Sequence, residues 1–224
     1  MHTVHEYLKM DKDSTPAGKI LVTAGPTIEP LDPVRYISNY STGMMGYEIA
    51  AECAERGFDV CLISGPVNLS PPAGVETVGV KTAGEMRDRV VERVSECDCL
   101  IMAAAVCDFR PEKEKKHKIK KKETLSVRFV KNTDILLEVG KREGLVKVGF
   151  ALESENPVEN GQNKLKAKSL DMIIINKKDT ETDPFGPGEK EYILIDAGGN
   201  IKRFEELTKR QMAGVIIGEV EALL

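Results

Sequence analysis

Residues 101–122 read IMAAAVCDFRPEKEKKHKIKKK, an uncharged apolar run followed by a dense cluster of lysines. Residues 101–106 are too few for an unsupported helix and lie between Asp98 and Asp108, which predicts a strand buried on both faces of a parallel sheet. Asp108 then follows the carboxyl end of that strand. Because open α/β sheets bind ligands in the crevice outside these ends, Asp108 is a candidate site residue.

The basic cluster places a strong positive field beside this crevice, and such a field attracts polyanions. Its members are Arg110, Lys113, Lys115, Lys116, Lys118, Lys120, Lys121 and Lys122. A solvated basic loop explains most charge runs and is the alternative. Ile119 separates Lys118 from Lys120, however, and this alternation predicts a strand with one apolar face that fixes the direction of its lysines.

Outside this region, apolar runs alternate with segments of helical periodicity, which indicates βαβ units. The predicted strands are residues 19–24, 58–64, 75–80, 100–106, 145–151 and 170–176, and the predicted helices are residues 41–57, 83–96, 132–139, 157–169 and 205–224. The fold class is therefore α/β, a Rossmann-like three-layer domain with a mainly parallel central sheet.

Two segments depart from this alternation. Residues 124–130, TLSVRFV, alternate and are predicted to pair with residues 118–121 as an extra antiparallel ribbon, a candidate dimer contact. Residues 29–40 contain Pro30 and Pro33 and are predicted to form a long loop, of the kind that is usually functional in compact domains.

Chain length and net charge limit the number of domains and the kinds of ligand that the protein can bind. The 224 residues contain no long linker, so residues 19–224 are predicted to form one α/β domain, preceded by a flexible leader or linker remnant, residues 1–18. The net charge of -4 opposes a general nucleic-acid binder, so the target of the lysines should be small.

Cysteine usage and hydropathy indicate a cytoplasmic protein. The five cysteines are an odd number without C-x-x-C spacing, so neither a disulfide framework nor a metal site is predicted, and the metal ligands stay unknown. The sequence has no run of about 18 apolar residues, so no membrane association is expected.

Two anion sites are suggested by helix geometry. Ser41 and Thr42 are N-cap types, and the unpaired amides of the turn that they open can bind a phosphate or carboxylate, although a plain capped helix fits equally well. Lys164 and Lys168 share a helix face and could hold one polyphosphate together, or form a solvated face.

The inventory of reactive groups favours chemistry driven by positioning. Lysines, asparagines and glycine turns gather near strand ends, whereas His117 in the lysine run is the one histidine outside the leader. Lysines and amides stabilise oxyanions without an activated nucleophile, as acyl or phosphoryl transfer requires. A nucleotide-dependent ligase or transferase fits this set.

Several motifs carry a family resemblance, in the same order over nearly the whole chain from Lys19. They are KILVTAGPTIEPLDPVRYISNYSTGMMG (19–46), AAAVCDFRP (103–111), KIKK (118–121), VKNTDIL (130–136) and GFALE (149–153). The chain resembles the phosphopantothenate-cysteine ligase of coenzyme A biosynthesis. In bacteria and archaea that ligase is usually the C-terminal half of a bifunctional flavoprotein whose N-terminal half is a decarboxylase. The resemblance therefore implies a separate ligase or an excised domain, with a separate or fused decarboxylase partner.

The resemblance implies a two-step reaction. CTP and Mg²⁺ activate the carboxylate of 4'-phosphopantothenate as an acyl-cytidylate and release pyrophosphate, and the amine of L-cysteine then displaces CMP. The product is 4'-phosphopantothenoylcysteine. The family is dimeric, so a homodimer with active sites near the interface is expected.

The motifs also imply residue roles. Asn39 matches the asparagine that holds the substrate carboxyl and the intermediate, and Lys118 matches the lysine that neutralises charge at the transferring phosphate. The residues assigned to the nucleotide are Ala103, Ala104, Ala105, Asp108, Lys131, Asn132, Thr133, Asp134, Phe150, Lys164 and Lys168, the two lysines on the triphosphate. The residues assigned to the substrate are Gly25, Thr27, Arg35, Ser41, Gly43 and Gly46.

The chain departs from the bacterial pattern at two places. Met44 stands where Lys is common, which leaves open how the phosphate of the pantothenate arm is held. Residues 175–186, INKKDTETDPFG, replace a segment that often approaches the nucleotide, so ATP remains an alternative to CTP.

Two other functions fit the sequence less well. An NAD(P)-dependent Rossmann oxidoreductase would need a G-x-G-x-x-G fingerprint, which the turn after residue 24 lacks. A non-catalytic nucleic-acid-binding module is opposed by the acidic net charge and by the scarcity of aromatic residues.

Overall fold

An eight-stranded sheet forms the centre of the computed structural model, which describes residues 18–121, 123–140, 142–177, 185–186 and 188–224. The strands are β1 (Lys19–Ala24), β2 (Ile28–Asp32), β3 (Arg35–Ser38), β4 (Asp59–Ser64), β5 (Glu76–Gly79), β6 (Cys99–Met102), β7 (Phe109–Pro111), β8 (Phe129–Lys131), β9 (Val146–Glu153), β10 (Met172–Lys177), β11 (Lys190–Asp196) and β12 (Ile201–Leu207). The helices are α1 (Met44–Glu55), α2 (Ala83–Arg93), α3 (Ile135–Val139), α4 (Pro157–Ala167) and α5 (Lys209–Glu221). The predicted leader lies outside the described residues except for Gly18.

The strand order of the sheet, β12-β11-β10-β9-β6-β1-β4-β5, contains one reversal that positions a crevice. From β1 the chain moves to β4 and β5 on one side and then returns to β6 on the other. The pairs from β5 to β10 are parallel, whereas β11 and β12 add antiparallel pairs. Connections therefore diverge between β1 and β6, which is where open α/β sheets bind ligands. The α/β fold with a mainly parallel sheet is confirmed.

Helices cover both faces of the sheet. On one face, α1 and α5 pack against a core that includes Val22, Ile101 and Ile174. On the other face, α2, α3 and α4 pack against a core that includes Leu100 and Ile173. Neighbouring residues of one strand thus serve opposite layers, as a sheet that is buried on both faces requires. Of the helices described, none is long and apolar enough to cross a membrane.

The predicted central strand is wrong at both ends. It was expected at residues 100–106, but β6 is Cys99–Met102, and the chain leaves the ladder at Ala103. The small apolar residues that follow are half-buried and line a cavity. The apolar sequence therefore continues to residue 106, although the strand ends at residue 102.

The predicted loop at residues 29–40 is also wrong, because β2 and β3 form an antiparallel hairpin there. Two buried carboxylates hold the hairpin in place. Glu29 accepts a hydrogen bond from the Ala83 amide at 2.9 Å. Asp32 accepts hydrogen bonds from the amides of Val34 at 2.8 Å and Arg35 at 3.0 Å, which closes the turn.

An antiparallel ribbon is present, but the strands that form it differ from the predicted residues 118–121 and 124–130. β7 pairs with β8, so residues 129–131 belong to it, whereas Lys118 and Lys120 lie in irregular chain. The helix boundaries differ as well. Gly43, not Ser41 or Thr42, is the N-cap of α1, and α5 begins at Lys209 because residues 205–207 extend β12.

Candidate functional site

The loop after β6 is fastened to the loop after β1 and forms the floor of the crevice. The Ala105 amide donates to the Gly25 carbonyl at 2.9 Å, and the Thr27 amide donates to the Ala105 carbonyl at 3.3 Å. The Cys107 amide donates to the Thr27 hydroxyl at 2.9 Å. Thr27 is fully buried, so it supports this floor from beneath.

Asn39 bridges the same loop from the other side. Its side-chain nitrogen donates to the carbonyls of Ala105 at 3.2 Å and Val106 at 3.0 Å. Because both hydrogens of that amide nitrogen are then used, the Asn39 side chain offers its oxygen, an acceptor, to the cavity.

Asn132 ties the segment that leads from β8 into α3 to this floor. Its side-chain nitrogen donates to the Cys107 carbonyl at 2.8 Å, its backbone amide donates to the Asp108 carbonyl at 2.8 Å, and its side-chain oxygen accepts from Arg110 at 3.0 Å. Asn132 is buried, so the start of α3 is held at a fixed distance from the floor.

The amino end of α1 meets the cavity opposite this segment. Gly43 adopts a left-handed φ of 77°, and the first turn of α1 contains no acidic residue. A side chain at Gly46 would lie 2.6 Å from the Ala24 Cβ atom and 2.9 Å from the Thr23 carbonyl oxygen. Glycine at 46 therefore allows α1 to approach β1 closely, which brings its amino end to the edge of the sheet.

The two lysines of α4 are each paired with a carboxylate. Lys164 contacts Glu153 at 2.5 Å, and Lys168 contacts Asp134 at 2.8 Å. Asp134 also caps α3 by accepting hydrogen bonds from the next turn. Burial acts to raise the pKa of Glu153, but hydrogen bonds from Lys164 and Asn160 outweigh it and hold this pKa below its ordinary value. The lysine charges are thus balanced before any ligand binds.

These groups surround a cavity of about 440 Å³ at the carboxyl edge of β1, β6 and β9. This volume suits a ligand of nucleotide size. The predicted residues that line it are Asn39, Ser41, Gly43, Gly46, Ala103, Ala104, Ala105, Asp108, Lys131, Asn132, Thr133, Asp134, Phe150, Lys164 and Lys168.

Over residues 16–224 the chain matches the protein family described as the DNA/pantothenate metabolism flavoprotein C-terminal domain. The chain belongs to this family. The family resemblance inferred from the sequence motifs is therefore confirmed.

Relatives of this flavoprotein C-terminal domain family match most of the chain. The coenzyme A biosynthesis bifunctional protein CoaBC of Escherichia coli strain K12 is 45% identical over 204 residues, which are 88% of this chain and 50% of that protein. A protein from an unknown prokaryotic organism, named cysteine/cysteine sulfinic acid decarboxylase, is 41% identical over 210 residues, 92% of this chain and 58% of that protein. The chain thus spans about half the length of the curated relatives it matches.

A solved structure matches the chain over most of its length. The crystal structure of the C-terminal domain of the coenzyme A biosynthesis bifunctional protein CoaBC has a TM-score of 0.80 and 32% identity, and the match covers 93% of this chain and 96% of that one. The two chains therefore share one fold over most of their length.

Four predicted residues do not line the cavity. Gly25 and Thr27 lie beneath its floor, where they position residues 105 and 107. Arg35, which begins β3 of the hairpin, and Lys118, beside the hairpin, lie outside it. The Ile119 amide donates to the buried Asp32 carboxylate at 2.9 Å, and the Ile119 carbonyl accepts from Arg35 at 3.4 Å. Lys118 itself is exposed, so the structure separates it from the residues with which the motifs grouped it.

Several lining residues were not predicted as site residues. Met45, Asn176, Tyr192 and Lys209 contribute to the wall on the α1 and α5 side. Asn176 and Tyr192 are direct partners in the antiparallel pair of β10 and β11. The sequence marked Asn176 as a strand end, but it contained no signal that β11 returns beside it. The altered loop at residues 175–186 lies largely outside the described residues.

Proposed function

We propose that this chain is a ligase that joins 4'-phosphopantothenate to L-cysteine with CTP, through an acyl-cytidylate, and releases CMP and pyrophosphate. The observation that carries the proposal is the nucleotide-sized cavity at the switch between β1 and β6, lined by the motif residues of a family whose members include coenzyme A biosynthesis proteins. This location is where α/β sheets bind nucleotides.

The first step is transfer of a nucleotidyl group. A carboxylate oxygen of 4'-phosphopantothenate attacks the α-phosphorus of CTP, the bond to the β-phosphate oxygen breaks, and pyrophosphate leaves. The rigid floor formed by residues 103–108 holds the two reactants together, since positioning accounts for much of the acceleration in such reactions. Lys164 and Lys168 are proposed to contact the triphosphate by exchanging their carboxylate partners for phosphate oxygens.

The second step is aminolysis of the acyl-cytidylate. The cysteine amine attacks the acyl carbon, the bond to the CMP oxygen breaks, and the amine nitrogen loses a proton. Asn39 is proposed to act at this step. Because both hydrogens of its side-chain nitrogen are bonded to backbone carbonyls, its oxygen remains to accept from the N–H groups of the incoming amine.

Mg²⁺ fits this site as an ion carried with the nucleotide. Among the described residues, no three His, Cys, Asp or Glu side chains gather as a metal site. The exposed Asp108 lies at the cavity and is the carboxylate that would hold the ion, since Mg²⁺ is usually bound by one or two carboxylates, water and substrate phosphates. When bound, the ion would neutralise phosphate charge.

A homodimer is part of the proposal. Exposed apolar side chains lie on β3 and on the β7–β8 ribbon, namely Tyr36 at 59%, Phe109 at 55% and Phe129 at 40%. Because β2 contacts β7, the hairpin and the ribbon form one surface. A patch of this type suits burial against a second copy, and size-exclusion chromatography with light scattering would measure its mass.

The role proposed for Lys118 depends on movement or on this dimer. In a single copy Lys118 lies outside the cavity, so the lysine reaches the transferring phosphate only if residues 113–121 shift or if the segment of a second copy reaches the site. The alternatives of an oxidoreductase and a nucleic-acid module are not favoured, and the cytoplasmic location stays a prediction.

Pyrophosphate release tests the reaction. The purified protein would be incubated with 4'-phosphopantothenate, Mg²⁺ and each of the four nucleoside triphosphates, with and without cysteine. We expect release that requires phosphopantothenate and is fastest with CTP. Faster release with ATP would retain the ligase and change the nucleotide. No release, or CO₂ formation from cysteine or cysteine sulfinate instead, would contradict the proposal.

A further inference from the structure

Glu29 is a buried carboxylate that lies close to the nucleotide-sized cavity without lining it. The residue belongs to β2 and is 2% exposed. It lines a second cavity, of about 480 Å³, between the hairpin, the amino end of α2 and β7. Asn132 and Thr133 line both cavities, so this short segment is a wall that the two cavities share. Because a buried charge is costly unless it is well paired, the partners of Glu29 indicate its role.

The partners of Glu29 come from several parts of the chain. The Ala83 amide, at the start of α2, donates to its carboxylate at 2.9 Å. Burial raises the pKa of Glu29, whereas this hydrogen bond lowers it. Hydrogen bonding with the side chains of Thr27 and Asn132 and the charge of Arg110 also lower this pKa, so these neighbours stabilise the ionised form. The Glu29 carboxylate therefore joins β2 to α2, to the loop after β1 and to the segment after β8.

Two of these partners hold the same residue of the cavity floor. The Cys107 amide donates to the Thr27 hydroxyl at 2.9 Å, and the Asn132 side-chain nitrogen donates to the Cys107 carbonyl at 2.8 Å. The Thr27 hydroxyl still has its own hydrogen to donate, and the Asn132 nitrogen has a second one. Since a carboxylate only accepts hydrogen bonds, Glu29 directs both of these hydrogens. One buried group thus orients both supports of Cys107.

Arg110 extends this cluster to the residue before Asn132. Its guanidinium group donates to the Asn132 side-chain oxygen at 3.0 Å and to the Lys131 carbonyl at 3.1 Å. Lys131 and Asn132 line the nucleotide-sized cavity, whereas Glu29 and Arg110 do not. The two buried or half-buried charges therefore act on the cavity wall from behind.

We propose that Glu29 is a positioning residue for the nucleotide, because its carboxylate orients Thr27 and Asn132. Through these two side chains it sets where residues 105–108 and 131–133 lie in the cavity wall. This inference rests on the proposed ligase function, and it gives Glu29 no contact with a substrate. A wall that is fixed before binding costs the ligand less to engage, so Glu29 contributes to nucleotide affinity from outside the site.

The test compares two glutamates that accept hydrogen bonds from backbone amides near the start of α2. Glu29→Gln keeps the size of the side chain but replaces one acceptor oxygen with an NH₂ donor. Because the hydrogen-bonding partners of Glu29 are themselves donors, this NH₂ group faces a donor and disturbs them. Glu85→Gln is the matched control. Glu85 accepts from the Lys81 amide at 2.6 Å, but it is exposed and lines neither cavity.

Binding of Mg²⁺-CTP, or of the triphosphate that gives the fastest pyrophosphate release, would be measured on the full chain by calorimetry, well below the Tm of each variant. Lower stability alone leaves the affinity of the folded protein unchanged, so Kd separates a positioning role from a purely structural one. We expect Glu29→Gln to raise Kd about tenfold, the size of one hydrogen bond to a charged group. Glu85→Gln should leave Kd unchanged.

A second variant tests the route through Thr27. Thr27→Val removes the hydroxyl and keeps the shape of the side chain, so it should also raise Kd. In the double variant Glu29→Gln/Thr27→Val the two losses should not multiply, because they interrupt one route.

An unchanged Kd in Glu29→Gln, or losses that multiply in the double variant, would overturn the positioning role while the ligase function stands. If Glu29→Gln does not fold, Thr27→Val decides in its place, and an unchanged Kd in Thr27→Val overturns the role. Absence of pyrophosphate release by the wild type with every triphosphate would instead contradict the ligase function.

Discussion

Gly46→Ala should impair both folding and the site, because the substitution pushes α1 away from β1. The new Cβ atom would lie 2.6 Å from the Ala24 Cβ atom and 2.9 Å from the Thr23 carbonyl oxygen. Both neighbours belong to a buried central strand, so α1 must move by about 0.5–1 Å to restore ordinary contact distances. Overpacking of this kind costs about 1–3 kcal/mol. For a chain of this size, a loss of about 2 kcal/mol lowers Tm by about 4–8 °C.

The same displacement moves the amides at the amino end of α1. Because misplacement by about 1 Å can cost up to about 100-fold in rate, we expect kcat/KM for CTP to fall about 10- to 100-fold in the pyrophosphate-release assay. The matched control is Gly84→Ala, which also places alanine in the first turn of a helix. Its Cβ atom would have the Thr82 hydroxyl oxygen at 3.7 Å as its nearest neighbour. This control should keep or raise Tm and retain activity. Wild-type Tm and kcat/KM in Gly46→Ala would refute the close-packing argument.

Three further outcomes are expected. Lys118→Gln should lose turnover by a factor of about 100 or more with an unchanged Tm, since it removes a charge proposed to act in the transition state, and unchanged turnover would refute that role. Asn39→Asp should slow conversion of the acyl-cytidylate in single-turnover experiments, because it sets a negative charge against two carbonyls and an anionic intermediate; a normal rate would place the acyl group elsewhere. The pKa of Asp32 is lowered, chiefly by the hydrogen bond from the Ile119 amide and also by the Val34 and Arg35 amides and the Arg35 charge. The stabilisation that the Asp32 carboxylate provides is therefore present above its unfolded pKa of about 3.9, and it is lost as the pH falls through the lower pKa of the folded state. Amide exchange at residues 113–121 should therefore rise below about pH 4, and at neutral pH in Asp32→Asn; protection that is independent of both changes would contradict this anchor.

The strands of the central sheet could be predicted because each apolar run in the sequence corresponds to a segment that pairs with a neighbouring strand. Residues 19–24 were predicted as a strand with the bounds that β1 has. The sequence does not reveal the β2–β3 hairpin, because Pro30 within β2 is untypical of a strand and because the two carboxylates that stabilise the hairpin find their partners only in three dimensions. The strand predicted at Lys118 failed for a similar reason, since the backbone at Ile119 bonds to Asp32 rather than to a neighbouring strand.

The candidate site was predictable where one motif supplies adjacent residues, as in residues 103–105 and 131–134. It was not predictable where a wall is assembled from distant strands. Tyr192 looks like an ordinary core residue in the sequence, and only the pairing of β11 with β10 brings it to the cavity wall. Lys118 shows the converse: a motif match gives a residue type and an order, but it does not specify which surface the side chain occupies.

The floor at residues 103–108 is held in place by hydrogen bonds with Thr27, Asn39 and Asn132. Its backbone is therefore already ordered in the folded protein, so ligand binding costs little further conformational entropy of the chain. Calorimetry of nucleotide binding should then reflect mainly desolvation and the repartnering of the α4 lysines. The same hydrogen bonds mean that substitutions at position 27, which is buried beneath the floor, would change affinity by loosening the distant residues 105 and 107.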